Sequence, residues 1–314
     1  MRKTGTSVQH TIKSPIYCRG IGLHSGRVVT MTLRPAAVDS GIVFRRVDLD
    51  PVVDLPALWS NAMASPLCTT LRNDEGVTVS TIEHLMAALH AGGIDNIVVE
   101  LDAAEVPILD GSADPFLFLI DCAGPMAQTR TRRSIEVRKT IRVEAGESWA
   151  EITPDARLSI QCDIDFASHA IGRQSTDIVV AAQGFRDEIA RARTFGFLHE
   201  VEQMRAAGLA RGGSLDNAIV VDGDTVLNEE GLRFDDEFVR HKTLDIIGDL
   251  YLAGAPLLGR VRAHRPSHAL TYKLLTQLFA DAEAWRYHPA VELDGESADD
   301  QPLSWVEPVA ALSA

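Results

Sequence analysis

The pattern of apolar and polar positions says most over residues 238–251, FVRHKTLDIIGDLY. Wound as a helix, Phe238, Val239, Leu244, Ile246, Ile247 and Leu250 point around more than half of its circumference, the pattern of a buried helix. One stripe interrupts them. His241, Asp245 and Asp249 recur at every fourth residue and so stand one above another on a single face. Charges on a buried helix must be paired or bind a metal, because desolvating them bare costs several kcal/mol or more. A His-x3-Asp pair at helical spacing begins a metal site. The plain alternative is an amphipathic helix whose polar stripe faces water.

Elsewhere the pattern alternates. Residues 8–60 read as strands, clearest at Val28–Leu33 and Gly41–Val47, and 67–79 as a strand pair around Asn73-Asp74-Glu75-Gly76. Ile82, Leu85, Met86 and Leu89 then share a helical face, in a helix running from Ser80 to the stop at Gly92-Gly93. Ser80 and Glu83 fit a capping box, which gives Glu83 a structural reading. Nothing local accounts for His84, which sits near the positive end of the helix dipole, a place suited to a neutral imidazole ligand. Together Glu83 and His84 offer a base and a ligand side by side.

A strand follows over 93–102, then a strand, a turn and a short helix over 106–118, capped by Asp114 with Pro115 at its first position. The polar stretch 124–133, with Pro125 and three arginines, is the best domain boundary. Strand-like segments at 134–143, 149–152 and 158–166 come next, then a short helix at 183–193 and strands at 218–221 and 225–227. Beyond the central helix lie a strand at 256–263 and a helix at 268–280. Each half therefore runs strands, helix, strand, helix, and the long helix of each carries an unexplained histidine, His84 or His241. If the halves face each other, both histidines and Asp245 converge at their interface, where sites commonly form. The predicted fold class is α+β, with domains at 1–125 and 134–288 and a tail over 289–314.

The chain's 314 residues suit about two domains, and a mean hydropathy of +0.01 suits a globular protein. A net charge of −14 argues against nucleic acid as a partner. The scattered cysteines Cys18, Cys68, Cys122 and Cys162 contain no C-x-x-C. No apolar leader follows the Met-Arg-Lys start and no run approaches a membrane span, so the expected setting is the cytoplasm. A monomer is expected as well. The loop GIGLHSG (20–26) lacks the G-K-[ST] end of a phosphate loop, and His24 reads as a loop histidine.

Two histidines and one carboxylate suit zinc and also iron(II). A metalloprotease is disfavoured, since neither H-E-x-x-H nor H-x-x-E-H occurs. A non-catalytic lipid or sugar-nucleotide binding module, its histidines structural, is the remaining rival. The chain resembles the UDP-3-O-acyl-N-acetylglucosamine deacetylases, zinc amidases of lipid A synthesis. The resemblance rests on GIGLHSG (20–26), STIEH (80–84), GIDNIVVEL (93–101), VPILDGSADPF (106–116), ARARTFGF (190–197), GLRFDDEFVRHKTLDIIGDL (231–250) and HAL (268–270). It implies two similar α+β domains, each a sheet with helices on one face and the helices sandwiched between. It implies zinc on His84, His241 and Asp245, Glu83 as general base, and Thr194, Lys242, Asp249 and His268 lining the reaction centre. It further implies an acyl passage beginning at Phe195 and reaching about Val221, Cys68 near the metal, and an acylated UDP-sugar as substrate. One departure is the Arg265-Pro266-Ser267 run before His268, where many members have glycine. A buried carboxylate at Asp249 needs a partner of its own, and a hydrogen bond from His268 is expected there. Asp249 lies roughly 12 Å along the helix from His241, too far to share its metal.

Overall fold

The computed structural model describes residues 8–288 except 64 and 66, so the tail expected at 289–314 lies outside the described residues. Its outer layers are two five-stranded sheets. The first runs, in space, Ile16–Ile21, Val28–Pro35, Ile97–Leu101, Ile42–Arg46, Val53–Pro56. The second runs Ile141–Ala145, Ser148–Thr153, Arg260–His264, Ser159–Asp165, Arg173–Val179. In both, the strand that comes last in the chain takes the centre, parallel to the third and antiparallel to the second. The two halves share one topology, where the sequence alone supported only a similar rhythm.

The helices are α1 (Glu83–Ala91), α2 (Asp114–Ala123), α3 (Ala182–Glu188), α4 (Leu198–Ala206), α5 (Glu237–Leu250) and α6 (His268–Ala280). In each half a helix makes the crossover into the central strand, α1 in the first and α5 in the second. Strand alternation turns Val29, Met31, Leu33, Phe44, Val99 and Leu101 to the covered face of the first sheet. It does the same for Ile152, Ile160, Ile164 and Val261 in the second. There α5 lies on Ser159–Asp165 and Arg173–Val179, and α6 on Ile141–Ala145 and Ser148–Thr153. Helices α1 and α5 pack on each other, so the helices form the middle of a sandwich. Each crossover is preceded by an insert with its own three-stranded sheet: Ala62–Met63, Thr70–Arg72 and Thr78–Ser80 in the first half, Phe195–Phe197, Ile219–Asp222 and Thr225–Val226 in the second.

Several expectations change. Helix α1 begins at Glu83 rather than Ser80, because Thr81 takes a left-handed φ of 58° and Ser80 ends a strand. No capping box forms. Likewise Ala113, not Asp114, occupies the cap position of α2, and the carbonyl of Ala190 receives the N–H groups of Ala113 and Asp114, in place of a cap by the Asp114 side chain. The polar stretch 124–133 holds a strand, Pro125–Thr131, paired with Val8–Ile12, while Ser134–Val137 pairs with Leu257–Leu258 and Trp285–His288. We propose that the domains divide between Thr131 and Ser134. The strand expected over 134–143 is two strands in different sheets, and that over 256–263 breaks at Gly259, where a β-carbon would meet Thr153.

The alternative of a water-facing stripe on α5 fails, since only Arg240 and Lys242 of its fourteen residues escape full burial. The helix crosses α1 at Gly248. A β-carbon there would lie 2.0 Å from the Glu83 carbonyl oxygen and 3.1 Å from the Ala87 nitrogen. Gly248→Ala is therefore expected to cost about 1–3 kcal/mol through overpacking, read from the urea midpoint. An unchanged midpoint would mean that the crossing is loose.

Candidate active site

The crossing brings the first turn of α1 over the polar stripe of α5. His84, His241 and Asp245 are each at most 4% exposed, and one ligand atom of each lies within 4.8 Å of the others. The Nε2 atoms of His84 and His241 stand 3.6 and 3.4 Å from Asp245 Oδ1, and the two rings meet edge to face at 4.9 Å. His241 Nδ1 donates to the Ala192 carbonyl at 3.0 Å, which leaves the Nε2 lone pair turned toward the carboxylate. Burial pushes the His241 imidazole down to about 3, so it is neutral, as a ligand must be. Asp245 Oδ1 is buried without a hydrogen-bond partner. Burial opposes the charge of Asp245, yet the facing imidazole of His241 and the Lys242 ammonium, 2.6 Å from Oδ2, keep the carboxyl well below its usual range. An ionised oxygen left bare between two imidazole nitrogens fits a bound cation.

The Ala192 carbonyl is itself held in place. Arg193, next in the chain and buried, donates from its backbone N–H and Nε to Glu237 Oε1 at 3.0 and 2.9 Å, and from Nη1 to Glu230 at 2.8 Å. Glu237 opens α5, so this ion pair fixes the insert against the helix that carries two of the three clustered donors.

On the other side of the cluster, Glu83 and His268 face each other, with His268 Nε2 3.7 Å from Glu83 Oε1 and 4.0 Å from Asp245 Oδ2. The expected hydrogen bond is present: His268 Nδ1 lies 2.9 Å from Asp249 Oδ2. His268 opens α6, where the Ser267 hydroxyl accepts the Leu270 N–H, so Ser267 serves as the helix cap. Burial raises the Glu83 carboxyl, against the pull of His268. Burial also works against a charged His268, but Asp249 and Glu83 outweigh it and lift the imidazole to about 9. A raised carboxyl next to a charged imidazole is an arrangement suited to moving protons.

The remaining expected residues are less tightly joined. Lys242 is bound to Asp245, which raises its ammonium against the effect of burial. Thr194 is half-buried; its N–H donates to the Gly111 carbonyl, and its hydroxyl makes no hydrogen bond to the cluster among the described residues. Phe195 stands edge-on to Phe238 at 5.0 Å and to His241 at 6.2 Å, with Phe166 at 5.8 Å. Cys68 touches Thr70, and burial, with Glu83 adding, pushes its thiol up to about 11, so it is an inert neutral group. His24 lies in its loop as read, its backbone N–H and that of Ser25 held by Glu105. Sequence reasoning missed Thr69, Ala192 and the Arg193–Glu237 pair; neither a threonine nor a backbone carbonyl carries any local signal of such a contact.

Two imidazoles facing a bare carboxylate oxygen, with a raised carboxyl and a charged imidazole alongside, are a set of groups suited to a metal-dependent hydrolase. The model of the family described as UDP-3-O-acyl N-acetylglycosamine deacetylase matches residues 9–280. Proteins named UDP-3-O-acyl-N-acetylglucosamine deacetylase from Vibrio parahaemolyticus and Aliivibrio fischeri are 47% and 46% identical to this chain over 307 residues, which is 97% of this chain and 99% of theirs. The chain belongs to this deacetylase family.

The His268–Asp249 pair has a pH consequence in the metal-free protein. The imidazole's folded value of about 9 lies above the ordinary 6.5, so its charge stabilises the fold below pH 6.5 and that contribution fades as pH rises through about 9. In Asp249→Asn, burial is expected to dominate and the His268 titration followed by NMR to move to lower pH. A titration that stays near 9 would show that Asp249 does not hold the proton.

Proposed function

We propose that this protein hydrolyses the N-acetyl group of UDP-3-O-acyl-N-acetylglucosamine in lipid A assembly, releasing acetate and a free amine, with zinc held by His84, His241 and Asp245. The observation that carries this reading is the convergence of three donors within 4.8 Å, flanked by a carboxyl whose proton affinity is raised and a charged imidazole, in a member of this family. When bound, zinc supplies Lewis acidity toward the acetamide carbonyl and acidifies a water.

The side chains do the rest. Glu83, its carboxyl raised by burial, takes the proton of the attacking water as the new C–O bond forms. His268, charged and oriented by Asp249, gives its proton to the sugar nitrogen as the C–N bond breaks. Lys242, bound to Asp245 at the cluster, and the hydroxyl of Thr194 are assigned as donors to the developing oxyanion. Phe195, with Phe166 and Phe197, begins an aromatic wall suited to the acyl chain, and Cys68 is a small neutral filler beside Glu83. Both halves of the site come from one chain, which suits a monomer. No helix among the described residues is long and apolar enough to cross a membrane, and the reading places the reaction in the cytoplasm; cell fractionation tests that placement.

Acetate release from the acylated UDP-sugar tests the proposal. Glu83→Gln is expected to slow release by about 10²–10⁴ with fold and zinc content intact. The sugar lacking its acyl chain is expected to react with a much lower kcat/KM. Near-normal turnover in Glu83→Gln would remove Glu83 from the chemistry, and equal rates with and without the acyl chain would remove the passage.

A further inference from the structure

Thr69 sits where three polar contacts of the site meet. It is 6% exposed and lies just before the strand Thr70–Arg72 in the insert of the first half. Its backbone N–H donates to Glu83 Oε2 at 3.0 Å. Its hydroxyl donates to Asp249 Oδ1 and lies 3.1 Å from His268 Nδ1. With its one proton committed to Asp249, the hydroxyl oxygen is free to accept from Nδ1–H. The His268 proton is therefore shared between Thr69 Oγ1 and Asp249 Oδ2, the latter at 2.9 Å.

The consequence is directional. The Thr69 N–H occupies one oxygen of Glu83, which leaves Oε1 facing His268. The Thr69 hydroxyl and Asp249 occupy one nitrogen of His268, which leaves Nε2 facing Glu83 Oε1 at 3.7 Å. One residue thus turns the working edges of the base and the acid toward the same space, although Glu83 comes from α1 and His268 from α6. Strand pairing of Thr70–Arg72 with Thr78–Ser80, continued by the Ile82 N–H to the Thr69 carbonyl, ties Thr69 to the start of α1.

We infer that Thr69 is a positioning residue, whose backbone N–H and hydroxyl set the relative orientation of Glu83 and the Asp249–His268 pair. The inference rests on the deacetylase reading for its effect on rate. A threonine that merely satisfied buried neighbours would affect stability and leave the kinetics of folded enzyme alone.

The test uses Thr69→Val, which keeps the shape and the backbone N–H but removes the hydroxyl, and Thr69→Ser, which restores it. In the zinc-loaded enzyme Thr69→Val is expected to lower kcat by about 10–100-fold with KM little changed, as misplacement of catalytic groups does. Thr69→Ser is expected to recover most of that loss. Combined with Asp249→Asn, the Thr69→Val loss is expected to be far less than additive, because both act through His268. In the metal-free protein the His268 Nδ1–H signal in proton NMR is expected to broaden by faster exchange in Thr69→Val and to sharpen again in Thr69→Ser. Full kcat in a folded Thr69→Val would overturn the inference, as would a loss that Ser does not recover. Should the native enzyme release no acetate while the Nδ1–H signal still depends on Thr69, the deacetylase reading fails and the positioning contact stands.

Discussion

The close approach of α1 to α5 at Gly248 governs where Glu83 and His84 stand relative to the polar stripe of α5. A residue with a β-carbon there meets the Glu83 carbonyl, so the glycine sets how near the first turn of α1 comes to the polar stripe. Neither helix holds a complete site. The first half supplies His84 and Glu83, the second His241, Asp245 and Asp249, and sandwiching the helices between two sheets takes all five out of water together. The repeated topology makes this possible: the crossover helix of each half occupies the same place, and facing them puts one histidine from each beside the other.

Burying so many ionisable groups is tolerable only because nearly every one is answered. Lys242 and the imidazoles answer Asp245, His268 answers Asp249 and Glu83, and Arg193 answers Glu237. Asp245 Oδ1 is the one carboxylate oxygen among the described residues that stays buried without a hydrogen bond, and it faces two imidazole nitrogens. Burial also sorts the titrations. His241, with its Nδ1 proton given to a carbonyl, is driven neutral, while His268, set between carboxylates, is driven to carry charge. Two histidines on neighbouring helices thereby acquire opposite roles from their surroundings alone.

Much of this was legible beforehand. The apolar circumference of Phe238–Leu250 declared a buried helix, and its i, i+4, i+8 stripe named His241, Asp245 and Asp249 before any contact was known. The distance along the helix separated Asp249 from the metal group and gave it to His268. What escaped was what depends on backbone detail or on distant strands. Ser80 and Glu83 match a capping box in letters, but the left-handed φ of Thr81 spends Ser80 on a strand. The charged strand Arg173–Val179 and the exposed helix Leu198–Ala206 carry too few buried positions to show a period. Thr69 and the Ala192 carbonyl act across separations of 199 and 49 residues, which no local pattern encodes.

The central claim is that helices of the two halves build one metal centre from His84, His241 and Asp245. Anomalous diffraction at the zinc edge from crystals of the protein purified with zinc tests it most directly. The account predicts a single strong peak about 2.0–2.2 Å from one nitrogen of each histidine and an Asp245 oxygen, with Cys68 outside bonding distance. A peak elsewhere, a sulfur ligand, or no zinc signal in active protein would contradict it.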